Sequence, residues 1–229
     1  MKLGTRLVFA VSIVGAALMA TATPAHADTF QLTSCDISGG CGTVTNFGSV
    51  TLNFNTATGA IDFDVLLNAG NRFVETGAGG EALFLFNDTV SGSSISNISL
   101  WNNGSVVTLP GGDGEDGLTD QPAIHADGMG DFSADVKCHV EADCNGGSAP
   151  VINELKFSIT GVTLAQLEAA NTLDHIFVTD ILCGQTGCGG GTGMVDVSSA
   201  APTPDGGSTV ALLGSALIGL ALLRRRLRA

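Results

Sequence analysis

Apolar and polar residues alternate with a period of two along much of the chain. Residues 50–54 and 61–65 both show this alternation, on the two sides of a turn at Thr58-Gly59. Such alternation is typical of strands with one buried and one solvated face. The pattern predicts an antiparallel hairpin whose carboxylates, Asp62 and Asp64, lie on the solvated side.

Further stretches share this character and are separated by turns rich in Gly, Asn and Asp. They are residues 81–87, 95–102, 105–110, 131–138, 153–160, 175–183 and 193–198. Many short strands with turn residues between them are typical of sandwiches and barrels. We therefore predict an all-β fold for residues 28–200, a β-sandwich or jelly-roll-like domain.

One segment departs from this period. Thr163 and Gln166 have the spacing of a capping box, and Leu164, Leu167 and Ala170 follow at helical spacing. We predict one short helix over 163–171, linking two strands.

The N-terminus carries the three parts of a secretory signal. Lys2 and Arg6 flank the start of an apolar stretch over 7–20, and small residues stand at Ala25 and Ala27. This order is typical of a signal peptide. Residues 1–27 are therefore predicted to be removed by signal peptidase, leaving residue 28 as the mature N-terminus.

Charge is distributed very unevenly, although the whole chain has a formal net charge of −13. All 22 acidic residues lie within 28–205, where only Arg72, Lys137 and Lys156 are basic, so that span carries a formal charge of −19. Such a surface repels nucleic-acid phosphates and anionic lipid headgroups. Nucleic-acid binding is therefore not expected.

The C-terminus ends in an apolar run followed by arginines. Residues 206–223 are uncharged, and as a helix of ~1.5 Å rise per residue they would extend about 27 Å, enough to cross a hydrocarbon core. The basic residues that follow are Arg224, Arg225, Arg226 and Arg228. By the positive-inside rule they hold the C-terminus in the cytoplasm. We predict a transmembrane helix at about 208–223.

A short polar motif, a minimal span and a basic stop occur here in one order. The motif is Pro204, Asp205, Gly206 and Gly207. The arrangement resembles the PEP-CTERM sorting signal, in a variant whose motif is PDGG, which exosortases recognise in Gram-negative bacteria. The resemblance implies transient anchoring in the inner membrane, cleavage near the motif and release to the cell surface or beyond. An ordinary anchor that is never cut would show the same hydropathy.

The chain is thus predicted to consist of a signal peptide at 1–27, an exported domain at 28–200, and a linker with the sorting signal at 201–229. The stretches 73–87 and 180–198 also resemble segments of exported bodies in the same group of proteins. That group implies no common catalytic role.

Six cysteines form three close couples. These are Cys35 and Cys41, Cys138 and Cys144, and Cys183 and Cys188. An even count behind a signal peptide indicates disulfides, although six cysteines permit 15 pairings. We expect the local pairing, because each couple frames a loop containing Gly or Asp. Zinc is the alternative, but the spacings lack the matched pairs of a structural zinc site.

Calcium is a second candidate ligand. The segment 111–131 is rich in Gly and acidic residues, and its hard oxygen donors suit Ca²⁺. The first candidate ligands are Asp113, Glu115, Asp116 and Asp120. The spacing matches neither an EF-hand nor a nonapeptide repeat, and a solvated loop accounts for the same composition. No other cofactor is expected.

No catalytic constellation stands out in the sequence. The chain has no G-x-S-x-G motif, and the histidines beyond residue 27 are His125, His139 and His175. We therefore expect a non-enzymatic, exported surface or extracellular-matrix protein with a structural or adhesive role, in contact with extracellular polysaccharide. The alternatives are a secreted hydrolase and a Ca²⁺-dependent module that binds carbohydrate or a surface.

Overall fold

The computed structural model describes residues 27–76, 82–109, 114–118, 124–145, 151–198, 203–204 and 217. Contacts between backbone positions group Ala27–Pro204 into one compact unit. All the strand pairs described in this unit are antiparallel. This agrees with the all-β prediction.

The first sheet, sheet A, has the strand order β16-β1-β3-β4-β13-β7-β8. Its strands are β1 (Ala27–Leu32), β3 (Gly48–Asn55), β4 (Ala60–Leu67), β7 (Ser94–Asn102), β8 (Ser105–Val107), β13 (Glu154–Thr160) and β16 (Thr203–Pro204).

The second sheet, sheet B, has the order β2-β15-β14-β6-β12-β9, with β5 pairing β14 beside this path. Its strands are β2 (Ser34–Ile37), β5 (Arg72–Phe73), β6 (Phe84–Phe86), β9 (Gly114–Leu118), β12 (Ala134–Cys138), β14 (His175–Leu182) and β15 (Thr192–Ser198). A separate hairpin is formed by β10 (Ile124–Ala126) and β11 (Gly130–Phe132), and a short 3-10 helix spans Glu141–Asp143.

The inner faces of the two sheets share one core that is rich in phenylalanine. Phe63 of sheet A stacks on Phe157 with ring centroids 4.4 Å apart, and it meets Phe84, Phe86 and Phe177 of sheet B at 5.6–6.1 Å. These separations are typical of stabilising aromatic pairs. The core therefore joins the two sheets directly.

The predicted hairpin is confirmed as β3 and β4, with a turn over 56–59. Its apolar residues alternate into the core, so Val50 and Val65 are both fully buried. Phe54 was expected on the same buried face but is 39% exposed. It lies next to the last residue of β3, immediately before the turn at 56–59.

A smaller apolar cluster lies on the other face of sheet B. Leu85, Val178 and Met194 project from the sheet, and Met129 and Phe132 of the β10–β11 hairpin pack over them. Sheet B is thus buried on both faces, which explains why residues 176–181 are all buried and do not alternate.

The predicted helix, α1, is shorter than expected and spans Leu164–Leu167. Its start is as predicted, because Gln166 Oε1 accepts hydrogen bonds from the Thr163 N–H and hydroxyl at 2.9 and 2.8 Å. The chain leaves the helix before residue 171 because Asn171 Oδ1 accepts the backbone N–H groups of Leu173 and His175. An Asn that bonds to nearby backbone in this way favours a turn over a helix.

The cysteines pair locally. The disulfides Cys35–Cys41, Cys138–Cys144 and Cys183–Cys188 join Cα atoms 6.4, 6.2 and 6.0 Å apart. Each closes a short loop where a strand of sheet B begins or ends. The structure therefore selects one of the 15 pairings that the sequence left open.

We expect the double substitution Cys183→Ala and Cys188→Ala to lower the free energy of unfolding by about 2 kcal/mol, because the cross-link restricts the unfolded chain. Urea denaturation of the oxidised variant and wild type would measure this difference. Equal midpoints and slopes for the two proteins would contradict a stabilising role for this disulfide.

Candidate functional site

The outer face of sheet A gathers polar side chains from four strands. In the register of the sheet, Asp64 of β4 pairs with Lys156 of β13, and Asp62 pairs with Ser158. Residues two apart on a strand lie on the same face, so all four side chains share one surface. The two acidic residues predicted on the solvated side of the hairpin are thereby placed beside one of the three basic residues of the exported body.

This face contains a cavity of about 350 Å³, which we call the outer-face cavity. Its polar lining consists of Asn53, Asp62, Asp64, Asn97, Lys156 and Ser158. Phe63 and Phe157 also line it. Among the described residues that line this cavity there is no histidine or cysteine.

Lys156 is held by two carboxylates and an aromatic ring. Its Nζ lies 2.6 Å from Glu154 Oε1, 3.4 Å from Asp64 Oδ2 and 5.0 Å from the centre of the Trp101 ring. The hydrogen bond to Glu154 raises the pKa of Lys156. The ammonium is therefore fixed in place as a charged donor at one side of the cavity.

Asp64 has an oxygen without a partner. Within the part of the chain that the structure describes, its Oδ1 is buried and accepts no hydrogen bond. Burial raises the pKa of Asp64, and the nearby carboxylate of Glu154 raises it further, while Lys156 opposes both effects. A buried acceptor of this kind gains from any donor that reaches it.

Asp62 is held by neutral donors. The Ser158 hydroxyl donates to Oδ1 at 2.7 Å, and the Asn55 amide donates to Oδ2 at 3.3 Å. The Asn97 amide in turn lies 3.5 Å from the Ser158 hydroxyl oxygen. These contacts link the polar groups of the cavity across three strands.

A β-bulge positions Asn97. Lys156 pairs with Ser99 and Ser158 pairs with Ser96, so Asn97 and Ile98 together oppose the single residue Phe157. Asn97 has a φ of 56°, in the left-handed region that Asn tolerates better than most residues. The extra residue turns the Asn97 side chain outward into the cavity lining, as bulges do near functional sites.

The histidines lie on other elements. His125 Nδ1 contacts Asp131 Oδ1 at 2.9 Å on the β10–β11 hairpin, and His175 Nδ1 contacts Asp196 Oδ2 at 2.6 Å on sheet B. His139 is exposed just after β12. None of the three lines the outer-face cavity.

The calcium candidates are only partly described. Glu115 and Asp116 lie on β9, which pairs with β12, whereas Asp113 and Asp120 lie outside the described residues. Strand β9 therefore lies within the segment 111–131, whose composition is also typical of a solvated loop. In the described ranges, no group of three or more His, Cys, Asp or Glu side chains could hold a metal ion. Calcium binding stays a prediction.

The two predicted processing positions border neighbouring strands. Ala27 is the first residue of β1, and Pro204 is the last residue of β16. Asp28 pairs with Pro204 at this edge of sheet A. The backbone on the C-terminal side of the predicted signal cleavage thus lies beside the start of the sorting motif.

Other predicted features of the termini lie outside the described residues: Ala25, Asp205, Gly206, Gly207, the arginines at 224–226 and 228, and the predicted span at 208–223 apart from Leu217. Leu217 is helical and 58% exposed. Across the residues that are described, the structure contains no helix of sufficient length and hydropathy to cross a membrane.

Residues 204–227 match the VPDSG-CTERM motif. This segment is a PEP-CTERM-like sorting signal, as the sequence pattern predicted. It points to a protein that is exported and sorted to the cell surface by an exosortase-type enzyme. No curated protein and no solved structure matches the chain.

Sequence patterns identified the sorting signal but missed the outer-face cavity. Asp62 and Asp64 were placed on the solvated side, but Asn97 and Ser158 were not selected. Lys156 had a usable signal, because it is one of only three basic residues in a strongly acidic body. Its partner Glu154 lies two residues earlier on the same strand, whereas its contacts with Asp64 and Trp101 depend on the strand register.

Proposed function

We propose that the chain is a non-enzymatic surface or extracellular-matrix protein of a Gram-negative bacterium, with a structural or adhesive role. The sorting signal at 204–227 carries this proposal, since it directs the body outside the cell. The body would be a β-sandwich or a jelly-roll-like domain. Two sheets around one aromatic core and three local disulfides suit a domain that must stay folded in an oxidising environment.

The proposal includes the route of export. Signal peptidase removes residues 1–27, the apolar tail anchors the protein transiently in the inner membrane, and an exosortase cuts near the motif. The PDGG form of the motif is part of this proposal. Pro204 and Asp205 agree with the letters of the matched motif, while Gly206 stands in the position of its serine.

Mass spectrometry of the protein from its native host tests the route. We expect a mature chain that begins at residue 28 and lacks residues 224–229. In a strain without the exosortase, the arginine cluster should remain on the protein. A product from wild-type cells that retains this cluster would contradict the cutting step.

The role is tested by deleting the gene and measuring adhesion and matrix cohesion. We expect cells without the protein to detach more easily from a surface, and full-length protein supplied on a plasmid to restore attachment. Normal attachment in the deletion strain, with the protein abundant at the surface of the parent strain, would contradict an adhesive role.

A further inference from the structure

The outer-face cavity offers a mixed set of donors and acceptors within one small surface. Asp64, whose side chain is 44% exposed, contributes a carboxylate acceptor, and Lys156 contributes an ammonium 3.4 Å from its Oδ2 atom. Asn97 and Ser158 can both donate and accept. A ligand that fits must therefore present several donors and acceptors close together.

An apolar row borders the cavity on one side. In the register of the sheet, Leu66, Glu154, Trp101 and Val106 stand side by side on β4, β13, β7 and β8. Leu66 is 43% exposed and Val106 is 56% exposed. Glu154 stands between Leu66 and Trp101 in this line, and we call its three apolar members, Leu66, Trp101 and Val106, the apolar row.

A polar cavity beside an apolar row suits a sugar. Pyranose rings carry hydroxyls around their edge, each of which donates and accepts, and their faces are apolar C–H surfaces that lie against aromatic and aliphatic side chains. One sugar ring could place its hydroxyls in the outer-face cavity, while the same ring or the next ring of the polymer packs against the apolar row. An extended strand face also leaves room for a chain to continue beyond the cavity.

The charge of the site selects among sugars. Two carboxylates and one ammonium line the cavity, and the ammonium is already neutralised by Glu154 and Asp64. The surrounding exported body is strongly acidic. An anionic polymer would therefore be repelled both locally and at long range.

We propose that the outer-face cavity and the apolar row bind a neutral, hydroxyl-rich polysaccharide. Asp62 and Asp64 accept hydrogen bonds from its hydroxyls, and Asn97 and Lys156 donate to its oxygens. This inference rests on the proposed adhesive role, and it assigns that role a ligand class and a surface.

The sharpest variant is Asn97→Gly. Glycine adopts a positive φ without steric cost, so the bulge is retained while the Asn97 side chain with its amide is lost. The matched control is Asn103→Gly, because Asn103 also has a positive φ, of 49°, but lies in the β7–β8 turn and does not line the cavity. Both variants should fold like the wild type.

Binding is measured on the mature, oxidised protein by affinity electrophoresis and calorimetry. The probes are soluble neutral polysaccharides of different linkage (laminarin, dextran and galactomannan), with alginate as the anionic probe and chitosan oligomers as the cationic one. We expect the wild type to bind at least one neutral polymer and not alginate. Asn97→Gly should weaken that binding about three- to tenfold, because one hydrogen bond to the polymer is lost. Asn103→Gly should leave the binding unchanged.

Asp64→Asn provides a second measurement. It replaces one carboxylate oxygen with an amide donor and removes the negative charge while keeping the side-chain shape, so we expect it to weaken binding of the neutral polymer as well. If only chitosan binds, and Asp64→Asn abolishes that binding, the site recognises an amine and the proposal is wrong. Binding to alginate, binding to none of the neutral polymers, or equal effects of the two glycine variants would also overturn it.

The same experiment separates this inference from the proposed function. Release of reducing ends from a bound neutral polymer, lost in Asp64→Asn, would support the site but would contradict a non-enzymatic role. Absence of binding together with correct export and normal adhesion would overturn the site and leave the adhesive role in place.

Discussion

Replacing Phe63 with alanine is expected to lower the free energy of unfolding by about 3–5 kcal/mol. Phe63 is 2% exposed and contacts phenylalanines of both sheets, including its stacked neighbour Phe157 at 4.4 Å. Removal of the ring leaves a cavity where the sheets meet, and the surrounding rings cannot all move to fill it. Urea denaturation of the mature, oxidised protein would measure the loss.

The matched control is Phe54→Ala on the neighbouring strand. Phe54 is 39% exposed, so its truncation should cost less than about 1 kcal/mol. Equal losses for the two variants would contradict the assignment of Phe63 to a core shared by both sheets.

Asp180→Asn is expected to abolish much of the pH dependence of stability between about pH 4 and pH 7. Asp180 is 1% exposed on β14, and burial raises its pKa from 3.8 to about 6, although hydrogen bonds from Thr76 oppose the rise. The native state therefore binds this proton more tightly than the unfolded state. The associated stability is complete below pH 3.8 and is lost as the pH rises through about 6.

A difference of about two pKa units corresponds to a loss of about 3 kcal/mol for wild type between acidic and neutral pH. Asparagine keeps an oxygen for the Thr76 donors and cannot ionise. Denaturation at pH 4, 5, 6 and 7 should therefore show that the free energy of unfolding of the variant increases relative to that of the wild type as the pH rises. A constant difference across this range would contradict the assignment.

Glu168 provides the necessary comparison, because it titrates in an overlapping range. Burial, together with a hydrogen bond and the negative charge of Asp28, raises the pKa of Glu168 from 4.5 to about 7. Asp180→Asn alone should thus leave a residual pH dependence between pH 4.5 and about 7. The double variant with Glu168→Gln should remove most of this remaining pH dependence, whereas Glu168→Gln alone should retain the part between pH 3.8 and about 6.

The amino-acid sequence alone determined the features that depend on local order. The alternation at 50–54 and 61–65 predicted β3 and β4, because a period of two assigns faces whatever the partner strand is. The cysteine couples are only five or six residues apart, so their local pairing needed no long-range contact. The sorting signal is a linear pattern and was recognised without a fold.

Two elements of the structure, strand β1 and the end of helix α1, differ from the sequence-based predictions. Phe30 and Leu32 alternate with Thr29 and Gln31, which is a short strand pattern, and the structure places them on β1. Its pairing with β3 in sheet A establishes it as a strand. The predicted end of helix α1 at residue 171 is wrong, because the side-chain oxygen of Asn171 accepts backbone N–H groups beyond the helix.

Only the tertiary structure shows which residues come together to line the outer-face cavity. Asp62, Asn97 and Lys156 are far apart along the chain and meet because β4, β13 and β7 are adjacent in sheet A. Periodicity assigns each residue to a face but leaves the order of strands and their register open, since both are set by pairing between distant segments. The bulge that exposes Asn97 is likewise a property of two paired strands. The sequence therefore determined where the protein goes and which faces are polar, and the strand register determined which polar groups those faces bring together.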